Sequence, residues 1–495
     1  MSNPGNFRMG LSQAILHWGK YCRNKAAVIS ETRTITYNDL DKAVESLAQR
    51  LNAYEGSNKR IAIYQTDPII FFISLISILR SNNVACIMNA ELAIENIRSC
   101  VQDCDAKLLL VDEETSIISN SIIKELDIPN MTIYLSELDK MPAKASWPLP
   151  NPYDPWGIVY TSGTTNIPIG IILSHISIFC ELMHWFIELE MTKKTRLYTS
   201  IPPYLTAGLV LASTSLMTGG TVVNFRNHSS EILSSYLKIN NIDISFFSPS
   251  GLQEFISYIK SHHLRIYMGD KILIMGEPVP LGLKKETRDL LSVDIIESWG
   301  NSEGLGTITE ASDVEIRPNS IGRPFLCDDN FIMDENNNKL PDNEIGRIAG
   351  KTNCAFSGYN KRYDLSSIYI IGDTIFSDDF GLRDEDGYFY IKDRMNNSFI
   401  RNNERIYTIE LEHKIQKLSC VEQVEVVGLE SEEGTVPAAV IRLKTNDIDK
   451  NILIDTINAG LSANQKIQYI KFIDKFPKSA VGENYKNKLK NLFIE

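Results

Sequence analysis

The chain has 495 residues, a length that suits two or three hydrophobic cores better than one. Hydrophobic residues make up 43 % and charged residues 23 %, the balance of an ordinary globular protein. The net charge of −12 disfavours a general nucleic-acid-binding role, because phosphate backbones want a basic surface.

The start, MSNPGNFRMGLSQAILHWGKYCRN, lacks a basic end followed by an unbroken apolar run, so no secretory signal is predicted and a cytoplasmic location is expected. Thr36-Tyr37-Asn38-Asp39-Leu40 opens a stretch, LDKAVESLAQRL, with apolar residues at helical spacing. Arg60–Tyr64 reads as a strand. The greasiest run, Ile69–Leu79 (IIFFISLISIL), is too short to span a bilayer and predicts a buried helix. Cys100 and Cys104 could share one helical face, but neighbouring ligands are missing. The eight cysteines contain no CxxC pair and read as reduced cytoplasmic thiols.

Strands follow at Lys107–Val111, before the turn that begins after Val159, and at Asp243–Phe247, Lys271–Met275 and Asp294–Glu297. Strands alternating with helical patterns predict an α/β fold with layered, mostly parallel sheets. GLRDEDGYFYIKDR, with Asp386-Gly387 between two strand-like runs, reads as a hairpin. The polar stretch after Arg394 marks the best boundary, which divides the chain into domains 1–393 and 394–495. From Arg394 onward, 15 Lys or Arg face 14 Asp or Glu, so the smaller domain is near neutral and the larger one strongly acidic.

The most informative segment is Tyr160-Thr161-Ser162-Gly163-Thr164-Thr165-Asn166-Ile167-Pro168-Ile169-Gly170. Gly163 permits close backbone approach. Thr161, Ser162, Thr164 and Thr165 offer four hydroxyls within five residues, and turns of this kind expose amides to anions. A Walker loop is absent, since GxxxxGK[ST] does not occur.

With His175 following, this segment resembles the YTSGTTxxPxG signature of adenylate-forming enzymes: acyl- and aryl-CoA synthetases, luciferase and peptide-synthetase adenylation domains. Further motifs follow in family order. Met275-Gly276-Glu277-Pro278 is similar to the turn lining the adenine pocket, and Trp299-Gly300-Asn301-Ser302-Glu303 to YGxTE. Ser320–Pro324 resembles SxGRP, Ser357-Gly358-Tyr359 the following GY, Gly372-Asp373 the TGD step, and Asp386–Arg394 the approach to a hinge. The resemblance implies a large layered amino-terminal domain and a small α+β carboxyl-terminal domain joined by that hinge. It further implies an ATP-dependent ligase that adenylates a carboxylic acid and passes the acyl group to CoA or a carrier-protein thiol.

By the same resemblance, Thr161–Thr165 hold the β- and γ-phosphates of ATP, and Gly276, Glu277 and Pro278 line the adenine. Trp299 and Gly300 do so as well, Trp299 in place of the usual tyrosine. Ser302 reaches the α-phosphate, Glu303 binds Mg²⁺ as a hard oxygen ligand, and Asp373 and Arg394 contact the ribose. Ser302, Glu303 and Arg394 are the expected catalytic set. Ile201–Gly208 resembles the PLFHxxG stretch, and no Asp lies between Tyr198 and Thr221 to meet a substrate ammonium. An aliphatic or aryl acid is therefore expected over an α-amino acid, with neither a nucleic-acid partner nor a membrane span.

The sequence departs from the family in three places. Asn166 and Ile169 replace a glycine and a lysine of the phosphate loop, and Ile400 and Asn403 replace a lysine and a glycine beyond the hinge. In Phe476–Lys486, which aligns with LPKTxxGKIxR, the family's catalytic lysine falls on Glu483. Losing one such donor costs about 2.7–4 kcal/mol of barrier. Lys478, Lys486 and Lys488 are the candidates to replace it. The competing expectation is a lysine-less homologue that transfers a pre-activated acyl group, or only binds nucleotide or carrier.

Overall fold

The computed structural model describes residues 7–138, 145–161, 168–226, 229–237, 240–277, 279–402, 404–431, 434–444, 449–476 and 483–493. Among the described residues the chain gathers into two compact units, one within Met1–Thr161, Ile167–Asn330 and Gly350–Ile375, the other within Phe331–Ala349 and Phe376–Glu495.

Two large sheets build the first unit. One runs, edge to edge, Gly358–Tyr359, Ile169–Ser174, Pro155–Thr161, Val84–Ile87, Arg60–Tyr64, Leu108–Val111 and Asn130–Thr132. Pairing is parallel from Pro155–Thr161 to Asn130–Thr132, and the first two strands join antiparallel. The other sheet has nine strands among the described residues, with Asp294–Gly300, Lys271–Met275, Ile244–Phe247, Arg196–Thr199, Thr221–Asn224 and Ala26–Ile29 forming its parallel centre. Strands buried on both faces need continuous apolar runs, which is why Leu108–Val111 and Ile244–Phe247 carry little polar alternation.

The greasy run becomes the helix Pro68–Arg80, every residue of which is buried. Asp67 caps it by accepting from the Ile69 and Ile70 amides, and Pro68 sits where a missing N–H costs nothing. Its one charge, Arg80, is neutralised by Asp41 at 2.8 Å and Glu45 at 3.4 Å on the helix Tyr37–Glu55. Each fully buried Ile, Leu or Phe here contributes about 1.5–3 kcal/mol, so this helix anchors the core between the sheets. Among the described residues no helix is long and apolar enough to cross a membrane.

The second unit ends in an α+β module. Val421–Ser431 and Gly434–Leu443 form an antiparallel hairpin, extended in parallel by Tyr469–Phe472. The helices Thr408–Gln416, Lys450–Ala459 and Glu483–Asn491 belong to the same module. Its core gathers Ile406, Leu411, Ile415, Val426 and Ile441. Met395–Ser398 is a tight turn inside this unit, closed by the Asn397 and Ser398 amides on the Arg394 carbonyl at 3.1 and 3.0 Å.

Candidate active site

In the first unit, the strands Asp294–Gly300 and Gly306–Ile308 pair antiparallel, so residues 301–305 form the turn of a hairpin. Asn301 shapes that turn, accepting the Leu305 amide on its side chain at 2.9 Å and the Gly304 amide on its carbonyl at 3.3 Å. Ser302 and Glu303 are thereby held side by side. Ser302 Oγ donates to Thr206 Oγ1 at 3.2 Å, and Tyr359 Oη donates to Glu303 Oε1 at 2.7 Å. The Phe356 amide closes on the Glu303 carbonyl at 3.0 Å. Trp299 and Gly300 lie in the strand that feeds this turn, with Trp299 opposite Thr307.

Thr206 opens the buried helix Thr206–Met217, and a close approach fixes its position. A Cβ at Gly208 would lie 2.3 Å from the Pro202 carbonyl oxygen and 2.6 Å from that of Ile201. Only glycine lets the helix start against that loop. Gly276 and Glu277 follow the strand Lys271–Met275; Gly276 has a φ of 109° and open space around it, and burial raises the Glu277 carboxyl above its ordinary range.

Asp373 follows Gly372, whose φ of 65° turns the chain between Ile370–Ile371 and Thr374–Arg383. Its carboxylate is well exposed and paired with Lys351 Nζ at 2.8 Å. Arg394 belongs to the second unit, where its Nε lies 3.5 Å from Asp379 Oδ1 and its amide donates to Asp393. Thr161 ends a strand of the first unit. Ser162, Gly163, Thr164, Thr165 and Pro278 lie outside the described residues. Glu483 opens the helix Glu483–Asn491.

Of the three replacement lysines, Lys478 lies outside the described residues and Lys488 is exposed. Lys486 is committed elsewhere. Its ammonium bonds to Glu412, lies 3.0 Å from Glu425 and donates to the Val426 carbonyl at 2.9 Å. Burial pulls its pKa down, but the two carboxylates outweigh that and hold it above the ordinary lysine value.

Sequence reasoning missed Thr206, Tyr359 and Lys351 as partners, and a buried polar group behind the site turn. A Cβ at Gly304 would meet the Cys354 carbonyl at 2.4 Å, so Cys354 packs directly behind Glu303. Cys354 Sγ lies 3.4 Å from His184 Nδ1, which is 3.9 Å from Asp328 Oδ2. Burial raises Asp328 to about 7, raises Glu181 and lowers His184. Glu181, His184 and Glu188, which share one face of a mostly apolar helix, were the available signal.

The hydroxyl–carboxylate turn, the glycine-gated helix and the twin parallel sheets together define an adenylate-forming enzyme fold. The sequence profile of the AMP-binding enzyme family matches residues 16–360, and the chain belongs to that family. It is 24 % identical over 473 residues to the 2-succinylbenzoate–CoA ligase of Oceanobacillus iheyensis, covering 94 % of this chain and 96 % of that one. It is 22 % identical to the fatty acid–[acyl-carrier-protein] ligase ScoC of Streptomyces coeruleorubidus, with 94 % and 93 % covered. The solved anthranilate CoA ligase AuaEII, in complex with anthranoyl-AMP, superposes with a TM-score of 0.86 at 19 % identity, covering 99 % of this chain and 98 % of that one.

Proposed function

We propose that this protein is an acid–thiol ligase: it joins an aliphatic or aryl carboxylate to the α-phosphate of ATP, releases pyrophosphate, and passes the acyl group to CoA or a carrier-protein thiol. The observation that carries this reading is the turn that holds Ser302 and Glu303 together, each oriented by a neutral hydroxyl partner. In the first half-reaction a carboxylate oxygen bonds to the α-phosphorus as the bond to pyrophosphate breaks. Ser302 turns its hydroxyl proton from Thr206 to the α-phosphate oxygen on which charge builds, and Thr206 Oγ1, donating in turn to Ser302 Oγ, keeps its rotamer. In the second, the thiol sulfur bonds to the acyl carbon, AMP leaves, and the thiol proton passes to solvent.

Mg²⁺ fits at Glu303, because a single carboxylate steered by Tyr359 suits an ion that prefers few protein ligands and many phosphate or water oxygens. When bound it would neutralise the transferred phosphates. Gly276, Glu277, Trp299 and Gly300 would border the adenine, and Asp373 would accept from the ribose hydroxyls. Arg394 would reach the same sugar from a carboxyl-terminal domain, residues 394–495, that turns about Arg394–Asn397.

A second reading is favoured by one observation: Glu483 stands where the family has its lysine, and the nearby Lys486 is tied to Glu412 and Glu425. On that reading the protein accepts an already activated acyl group and adenylates poorly. Pyrophosphate release over a panel of aryl, short and long aliphatic acids, with and without CoA, separates the two. The ligase reading expects acid-dependent release and a CoA thioester. Thioester formed only from supplied acyl-adenylate supports the second.

A further inference from the structure

A cleft in the first unit, of about 530 Å³, takes its polar lining from three separate stretches, within residues 58–60, 105–107 and 357–366, with Ile172 at its wall. Lys59, Arg60, Lys107 and Lys361 line it, and Asp105 is the single acid among its lining residues. Four cations against one acid is a strong local excess on a chain whose net charge is −12. We infer that this cleft binds a phosphorylated small molecule of nucleotide size, at a site separate from the adenylation centre.

The charges are arranged for an incoming anion. Arg60 donates one nitrogen to the Cys104 carbonyl at 3.2 Å and holds it 3.9 Å from Asp105, which Lys361 meets at 2.9 Å. Lys59 and Lys107 have no ion-pair partner among the described residues, and both are exposed. An ammonium group on a flexible stem binds phosphate as a point charge, and several around one concavity raise the local anion concentration. Hydrogen bonds tie the walls together. Asn360 donates to the Asp103 carbonyl and carboxylate at 2.9 and 2.8 Å, and Tyr359 is clamped through its amide to Ser366 Oγ at 2.9 Å.

Backbone conformation supports the same conclusion. Asn58, Asp105 and Lys361, one from each stretch, all adopt left-handed φ values of 59°, 51° and 55°. Asn58 and Asp105 are of types that tolerate this conformation; Lys361 gains nothing intrinsic from it, and such strain concentrates where side chains are aimed at a ligand. At the rim Tyr363 is 85 % exposed, a bare aromatic face of the kind that stacks on a purine. A concave volume of this size suits a small ligand better than the flatter contact an acidic protein would make.

The adenylation residues are not part of the lining, which meets that site only through Tyr359, whose hydroxyl points away to Glu303. Anion binding at this cleft therefore does not depend on the proposed ligase chemistry; only the assignment of the ligand to CoA rests on that reading. Two sources could supply the ligand, the 3′-phosphorylated adenosine diphosphate head of CoA or a free polyphosphate.

The test is equilibrium titration of the full chain at low salt with adenosine 3′,5′-bisphosphate and with inorganic tripolyphosphate. Wild type is compared with a Lys59→Glu/Lys107→Glu variant and with Tyr363→Ala, all exposed positions whose fold is checked by thermal melting. The double variant is expected to bind both probes at least tenfold more weakly. Tyr363→Ala is expected to weaken the adenosine probe several-fold and spare tripolyphosphate if a nucleotide is the ligand; equal, unchanged binding of both probes assigns the cleft to polyphosphate. Affinities unchanged by the double charge reversal overturn the proposal, as does capture of an acidic protein with neither small probe binding.

Discussion

Replacing Lys486 by methionine separates a structural lysine from a catalytic one. The Lys486 side chain is 14 % exposed and those of its partners Glu412 and Glu425 are 17 % and 21 % exposed, so removing the ammonium leaves two largely buried carboxylates without their cation. Breaking a buried pair by deleting one partner costs about 3–5 kcal/mol. The residual exposure of all three groups lets water and proton uptake offset part of that, so about 2–4 kcal/mol is expected. For a unit of this size that lowers its melting temperature by roughly 5–15 °C. Hydrogen exchange across Val421–Leu443, the hairpin that carries Glu425 and Val426, localises the loss to the second unit. Converting Glu412 and Glu425 to glutamine in the same chain should recover most of the stability, because no charge is then left buried. At 10–15 °C, where the variant stays folded, pyrophosphate release should remain within about threefold of wild type. A Lys486→Met protein of native stability that releases pyrophosphate a hundredfold more slowly would refute this reasoning and make Lys486 the replacement catalytic lysine.

Gly208→Ala should cost about 1–3 kcal/mol, since the new methyl meets two backbone carbonyls, and should slow adenylation by drawing Thr206 off Ser302; melting and pyrophosphate release read both. Asp328 has a folded pKa of about 7 against an ordinary 3.8, so the folded protein holds a proton that the unfolded chain releases. Its contribution is complete below about pH 4 and is lost as pH rises through 7. Asp328→Asn should therefore remove about 2–3 kcal/mol of the stability lost between pH 5 and pH 8 in urea unfolding; an unchanged pH slope would count against the burial of that carboxyl. Asp373→Ala should weaken ATP binding at least tenfold by calorimetry. Lys351→Met, which removes a solvent-exposed pair, should change it by less than threefold.

Much of the fold was legible because its signals are local. The alternation of strand and helix patterns, the apolar run at Ile69–Leu79 and the Asp386-Gly387 turn are each written within a dozen residues, and each appears where expected. Ordered motifs also revealed the family, since their turn glycines and clustered hydroxyls are written in short stretches. Partners distant in sequence stayed hidden. Lys486 looked like a free cation because Glu412 and Glu425 lie 74 and 61 positions away, and only the folded module brings them together. Thr206 and Ser302 are 96 positions apart, and Tyr359 and Glu303 are 56 apart, so hydroxyls that orient the site carry no local signature. The basic cleft escaped for the same reason: its lysines come from three stretches that look like ordinary solvated surface one at a time.

Acid-dependent exchange of labelled pyrophosphate into ATP, measured for wild type and Glu483→Lys with the best acid of the panel, tests the central claim most directly. The account predicts slow but acid-dependent exchange by wild type, raised by roughly 10²-fold when the lysine restores one electrostatic donor. No acid-dependent exchange from either protein, with both folded, would contradict it.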